Sequence, residues 1–459
     1  MIQNLDLSEK NANHISKTQS WTHFLLFVLS AFAIGMAVQI SNGAYHPRAM
    51  RWLTLSLCFL GAPFFLKPIS KIEKNGENIC AIFLLILLAQ QFFTLFTNSP
   101  AMYLAGSFEP YFFAGVFFAV LVLMIAQIYQ RNEKVFLLII VAIHFGISCL
   151  ILYYSPHPAI DVFDIHQTAI KGLLGGSNPY TLVTRNIYGT PDFFGEGLVK
   201  NGFIQIGFPY PPLSLFFSTL GHFFGDFRIA HALGMSATAV FIFALAPGRF
   251  GLLLSSLLLF SPRSFFVIEQ SWTEPLVTAC FGLVLYLSKI KSKYLWLGLG
   301  LFFSVKQYAI LLAPLVCLLN NENVFSKKNM RLVLYSGLAA FFITAPLAFW
   351  NISSFLNDVL FFQIRQPFRR DALSYLAAAE RNGFYLIPRN VAFYIFFATL
   401  IGLGIRKFYC RKEIFFAHGA SLLFFLFFIF NKQAFCNYYY AVMAMTLMSA
   451  ASAFPSERV

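Results

Sequence analysis

The chain has 459 residues, of which 58% are hydrophobic and 11% charged, and 58 are Phe. A soluble domain carries about 25% charged residues, so this composition excludes an ordinary soluble protein and points to a polytopic one. The formal charge of +14 does not by itself call for nucleic acid, because basic residues of membrane proteins sort by side of the bilayer.

Residues 1–22 are mixed polar and lack a small-residue cleavage site, so no removed signal peptide is expected and insertion starts with the first apolar run. In chain order the apolar runs are 23–42, 51–66, 79–97, 104–129, 135–154, 227–246, 250–262, 272–288, 294–305, 306–319, 331–349, 388–405, 413–430 and 438–454. Crossing a hydrocarbon core of ~30 Å takes about 20 helical residues, so several runs are short. Together they predict an all-α polytopic membrane protein with about 13–14 transmembrane helices. Two long polar loops interrupt them, 155–226 and 350–387.

The stretch 294–319 is ambiguous. As one helix it would put Lys306 at mid-membrane and the basic clusters KIKSK and SKKNMR on opposite faces; as a hairpin it keeps both clusters on one side, with Lys306 at the outward tip. Placing both termini and the short basic loops inside gathers 19 Lys and Arg there and leaves 13 outside, with Lys306 the remaining one of 33, as the inward bias of Lys and Arg requires. Loop 155–226 then faces outward, provided that YPPLSLFFSTLGHFFG lies on the outer surface without crossing. The seven cysteines show no CxxC or Cys/His spacing for zinc and are read as packing residues.

The segment SPHPAIDVFDIHQTAIKGLLGGSNPYTL opens the first long loop with two aspartates and two histidines. Asp161 and Asp164, three apart, share a helical face and line one pocket; a helix cap is the alternative for each. His157 and His166 are read as packing or hydrogen-bonding groups in preference to metal ligands. In GGSNPY, Gly175, Gly176 and Asn178 tolerate left-handed backbone and Pro179 forbids helix continuation. Further on, Arg365, Arg369, Arg370, Arg381 and Arg389 stand with Asp371 and Glu380. Guanidinium forks match phosphate bidentately, with attachment to anionic lipid headgroups as the alternative. Lys306, in LFFSVKQYAILLAP, is a charge among apolar residues, a costly placement that usually carries function.

The stretches IDVFDIHQTAIKGLLGGSNPY, FPYPPLSLFFSTLGHFFGDFRIAHAL, SWTEPL, SVKQYAILLAPL and QPFRRDALSY, in this order, resemble integral membrane glycosyltransferases of the GT-C superfamily, nearest to glycosyltransferase family 87. The resemblance covers 155 to about 440. It implies a GT-C-like catalytic membrane domain at 135–454, with its active site on extracytoplasmic loops, preceded by additional transmembrane helices at 1–134. The implied reaction moves a mannose-like hexose or a pentose from a polyprenyl-phosphate donor to a lipid or glycan acceptor. Asp161 would be the general base, with Asp164 as runner-up. Glu274 and Glu269 are possible second acids or else interfacial residues flanking a span. Lys306, Arg365, Arg369 and Arg370 would hold the donor phosphate. His166, Asn178, Tyr180, Tyr210, Gln270, Gln307 and Asp371 would line the substrate pocket. The loop has no Asp-x-Asp, so no cofactor is expected, a divalent metal being the disfavoured alternative. The expected location is a bacterial inner membrane, with both termini cytoplasmic and membrane lipids as neighbours. A transporter or flippase of lipid-linked sugars is the competing reading, although the distinctive charges fall on one face. Five spans precede the acidic loop, whereas the superfamily commonly has one.

Overall fold

A computed structural model describes residues 20–190, 193–195, 197–319, 325–384, 387–410 and 416–455. The first part is a series of apolar helices: α1 (Trp21–Ser41), α2 (Pro47–Gly61), α3 (Ser70–Thr97), α4 (Glu109–Tyr129) and α5 (Glu133–Tyr154). The first long loop follows, with α6 (Asp161–Leu174), strands β1 (Thr184–Arg185), β2 (Val199–Lys200) and β3 (Phe203–Ile204), and α7 (Pro212–His222). Then come α8 (Ile229–Leu245), α9 (Arg249–Leu259), α10 (Ser264–Glu269), α11 (Glu274–Lys289), α12 (Leu295–Val305), a 3-10 segment at Gln307–Leu319, and α13 (Lys327–Trp350). The second loop holds α14 (Ile352–Leu356), a π-helical turn at Asn357–Phe361, α15 (Phe362–Arg365) and α16 (Tyr375–Arg381). Helices α17 (Val391–Cys410), α18 (Phe416–Ile429) and α19 (Cys436–Ala453) close the chain.

Five of these helices (α1, α3, α4, α5 and α13) are long and apolar enough to cross a membrane, and several shorter apolar helices accompany them. At 1.5 Å per residue, the 21 residues of α1 extend about 31 Å, close to the apolar thickness of a bilayer. Exposed Phe, Leu and Ile on α4 and α13, such as Phe117, Phe118, Leu334 and Phe342, fit a hydrocarbon surround. The protein is a mostly helical membrane protein.

Three departures from the sequence-based elements have local causes. The all-α expectation misses a small antiparallel sheet of order β1-β3-β2 in loop 155–226, where Thr184 pairs with Ile204 and Val199 with the same residue. The run 306–319 is a 13-residue 3-10 segment containing Pro314, whose missing N–H and ring oppose α-helical bonding. In GGSNPY only Gly176 adopts a left-handed backbone, at φ +77°. Asn178 instead sits at φ −69°, its Oδ1 accepting from the Tyr180 N–H at 3.0 Å to cap a 3-10 turn at Pro179–Thr181.

Residues 20–134 do not pack as a separate body. One buried apolar cluster joins Phe27, Leu53, Leu84 and Phe112 to Leu257, Phe428 and Met445. The start of α1 is tied to α3 through Glu73, whose Oε1 accepts from the Ser20 hydroxyl (2.7 Å), the Thr22 N–H (2.9 Å) and the Thr22 hydroxyl (2.7 Å). At the same end of the bundle the rings of Trp21, Phe250 and Phe454 meet. At the opposite end Gly43 lies against Cys436 and the Tyr45 N–H donates to the Asp371 carbonyl at 2.8 Å. The 295–319 stretch is a hairpin between these ends. Gly298 of α12 faces Leu287, Lys306 lies at the turn, Tyr308 packs on Phe424 and Phe428, and Leu315 and Leu318 return to Gly419. Cys58, Cys80, Cys149, Cys280 and Cys436 are free thiols.

Candidate active site

Asp161 is the first residue of α6, placed there by an extended Ile160 that leaves the helix N-terminus open. Its Oδ1 accepts from the Val162 N–H at 2.9 Å and from the Tyr188 hydroxyl at 2.9 Å. Tyr188 stacks on Phe193 with centroids 4.4 Å apart, and the Arg369 guanidinium lies 4.2 Å from the Phe193 centroid. The second loop is thus brought to the floor of the first. Burial pushes the Asp161 carboxyl above the usual carboxylate range, opposed in part by Tyr188, the Val162 N–H and the charge of Arg369. A carboxylate with raised proton affinity is suited to taking a proton from a hydroxyl near neutral pH.

Asp164 has different surroundings: burial raises its carboxyl too, but the opposing charge comes from His157. The two acids share α6 without sharing partners. His166 is fully buried, bonded through Nδ1 to the Val162 carbonyl at 2.8 Å and stacked on Phe227 with centroids 5.1 Å apart. Burial brings it down to about 4, so the ring is neutral and holds α6 against the aromatic layer. Tyr180 donates to the Tyr210 carbonyl at 2.9 Å. With the Asn178 cap, it therefore fixes the chain that presents Tyr210.

The Tyr210 ring is the link to the bundle core, its centroid 4.7 Å from the Lys306 Nζ. Lys306 donates to Glu274 Oε1 at 2.6 Å, and the same oxygen accepts from Asn437 Nδ2 at 2.9 Å. Tyr308 and Tyr438 place their ring centroids 5.7 and 5.8 Å from the ammonium. Lys306 meets Glu274 and not the arginines, because an ammonium surrounded by tyrosine rings needs a counter-charge within reach. Glu274, the first residue of α11, is fully buried. Glu269 binds elsewhere, accepting from the N–H groups of Met102 and Tyr103 at 2.7 Å each, and Gln270 donates to it at 3.2 Å. Glu269 and Gln270 thereby fasten the α3–α4 connection to α10.

The arginines do not converge on one anion. Arg369 forks onto Asp371, Nε to Oδ1 at 2.7 Å and Nη2 to Oδ2 at 2.6 Å. Arg370 pairs with Glu380 at 2.9 Å on the exposed surface. Arg365 donates to the Asn357 side chain at 2.5 Å and lines a cavity of about 700 Å³ between the 3-10 segment, the second loop, α17 and α18. Gln307, Arg389, Lys432 and Gln433 also line its polar part, while Ile310, Leu311, Phe393, Phe427 and Phe428 line an apolar part. Tyr308 and Tyr438 belong to the same wall, with Lys306 behind them.

Three contributors escape sequence reasoning. Tyr188 finds Asp161 across 27 residues, with no local signal. Lys432 donates to the carbonyls of Ile364 and Gln366 at 2.8 and 2.6 Å; its place at a polar corner on the loop side was the only clue. Asp358 sits in the π-helical turn and accepts from the Gly207 N–H at 2.8 Å, and burial pushes its carboxyl up to about 6. It anchors the segment that leads to Tyr210. No cluster of three or more His, Cys, Asp or Glu able to hold a metal ion occurs among the described residues. No family model, curated protein or solved structure matches this chain.

Proposed function

We propose that the chain is an integral membrane glycosyltransferase of GT-C type that takes its sugar from a polyprenyl-phosphate donor and passes it to a lipid or glycan hydroxyl on the extracytoplasmic face. In this reading about 13–14 helices cross a bacterial inner membrane, both termini are cytoplasmic, and no cofactor takes part. One juxtaposition carries the reading: a recessed acid with raised proton affinity, Asp161, joined by the short segment 365–371 to a cavity that is cationic at one part and apolar at the other. Arg365 lines that cavity and Arg369, four residues on, acts on Asp161; four residues span at most about 14 Å.

The chemistry follows from this arrangement. The Asp161 carboxylate takes the proton of the acceptor hydroxyl as that oxygen forms a bond to the anomeric carbon of the donor. The bond from that carbon to the phosphate oxygen breaks, and the polyprenyl phosphate leaves with the electron pair. Arg365, Arg389 and Lys432 are the cations available to that anion at the polar part of the cavity, where fixed positive charge stabilises a departing phosphate. The apolar part accommodates isoprenoid chain. Lys306 is held on Glu274 behind the tyrosine wall and contributes positive charge from there.

The test is transfer by purified protein in proteoliposomes. With polyprenyl-phosphate sugars, radiolabelled sugar should pass to an extracted lipid or glycan acceptor. With nucleotide sugars alone, none should. Transfer from nucleotide sugars would overturn the donor assignment.

A further inference from the structure

Away from the acid and its cavity, the α1–α2 connection carries a second cavity of about 660 Å³, lined by Ile40, His46, Arg48, Arg51, Trp52 and Leu55. Arg48, Arg51, Trp52 and Leu55 fall at i, i+3, i+4 and i+7 of α2 and so form one stripe of the helix. Its polar side chains include two guanidiniums and an imidazole, and no carboxylate lines it. Among the described residues neither guanidinium has an ion-pair or hydrogen-bond partner, whereas Arg369 and Arg370 are both ion-paired. The apolar lining continues directly from the basic one, through Trp52 to Leu55 and Ile40. Two arginines, an aromatic residue of the kind enriched at the membrane–water boundary and an apolar floor match one occupant: an amphiphile with a phosphate head and hydrocarbon chains.

We infer that this cavity binds the headgroup of an anionic phospholipid, and that the bound lipid steadies the second loop. The route is short. Tyr45, next to His46, donates through its N–H to the Asp371 carbonyl at 2.8 Å, and its ring lies 4.7 Å from the Arg381 guanidinium. Ala44 bridges Ala372, and Thr54 of α2 bonds the Tyr375 hydroxyl at 2.6 Å. Asp371 in turn holds Arg369, the arginine whose charge acts on Asp161. The N-terminal helices thereby acquire a role as a lipid-responsive support of the site. The binding half of this inference is independent of the proposed reaction; only the loop's effect on transfer rests on it.

Delipidated protein in neutral detergent would be mixed with phosphatidylglycerol or phosphatidylcholine and examined by native mass spectrometry. Phosphatidylglycerol should be retained preferentially, and Arg48→Gln/Arg51→Gln should weaken that retention about tenfold or more, the loss expected for charge-assisted hydrogen bonds. Both arginines are exposed, so the variant should fold, and an unchanged melting temperature would verify this. Equal retention of the two lipids, or retention unaffected by the double variant, would overturn the site. Displacement of the lipid by millimolar inorganic phosphate would identify a free-phosphate site and overturn the lipid assignment. In a second arm, transfer in vesicles should fall when phosphatidylglycerol is replaced by phosphatidylcholine for the parent protein and not for the double variant. Equal lipid dependence of both proteins would overturn the coupling while leaving the binding result to stand. Absence of transfer by the parent in either lipid would instead count against the reaction.

Discussion

In the proposed reaction Asp161 is the base, and its environment makes the expectation specific. Asp161→Asn preserves size and can still accept from Tyr188, but it removes the proton acceptor, so turnover should fall by about 10²-fold or more while donor binding persists. Steady-state transfer and a separate donor-binding measurement would distinguish the two. For the parent protein the acid must be ionised to act. Because burial raises its proton affinity, transfer should be lost as pH falls through a value above the ordinary aspartate range. An activity profile flat down to pH ~4 would place the base elsewhere. The Lys306–Glu274 pair raises a different question, whether a buried ion pair serves the fold or the donor. Lys306→Met leaves a carboxylate buried without its counter-charge, and breaking such a pair costs roughly 3–5 kcal/mol. Lys306→Met/Glu274→Gln removes both charges and should recover most of that stability in a thermal melt. If the ammonium also supports the departing phosphate, transfer should stay depressed in the double variant; full recovery of transfer would make the pair purely structural.

Single elements show how much the sequence discloses and where it falls silent. The run 135–154 became Glu133–Tyr154 and the run 438–454 became Cys436–Ala453, because long apolar stretches bounded by polar residues leave little freedom to a helix in lipid. The strands at Thr184–Arg185, Val199–Lys200 and Phe203–Ile204 are two residues each, too short for any alternation to register. Arg369 was legible as a cation but not as the partner of Asp371, since carboxylates at 371 and 380 were equally available to it. Gly43 was not legible at all. It connects α1 to α2 at φ +80°, and a Cβ there would come within 2.2 Å of the Cys436 backbone nitrogen. Gly43→Ala combines a left-handed backbone, costing about 1–3 kcal/mol for other residues, with a collision at the start of α19. It should lower the melting temperature in detergent, and an unchanged value would mean that the α1–α19 contact is not held as tightly as the backbone approach indicates.

At the scale of the whole molecule the two ends of the bundle differ in kind, and this difference carries the orientation. Trp21, Phe250, Phe454 and Lys289 mark one end, where Lys289 donates to the carbonyls of Ala244 and Leu245 at 2.9 and 2.8 Å. Asp161, Arg369, Lys306, Tyr45 and Cys436 gather at the other. A turn at Lys306 is the arrangement of 294–319 that leaves KIKSK and SKKNMR on one side, and it is what the packing of Gly298 and Leu318 shows. Charge takes the placement one step further than packing does: the end bearing the clustered lysines should be cytoplasmic. That step is open to direct test. Cysteines introduced singly at Ser177, exposed in the first loop, and at Lys327, exposed at the start of α13, would be probed with a membrane-impermeant thiol reagent. The parent protein provides the background, since Cys58 is exposed. Ser177→Cys should gain labelling in intact cells and Lys327→Cys only after permeabilisation. The reverse pattern would turn the molecule over, bring Asp161 to the compartment where nucleotide sugars are made, and remove the reason for a lipid-borne donor. Labelling of both from one side would contradict the hairpin itself, because α13 would then have to start at the end where α6 finishes.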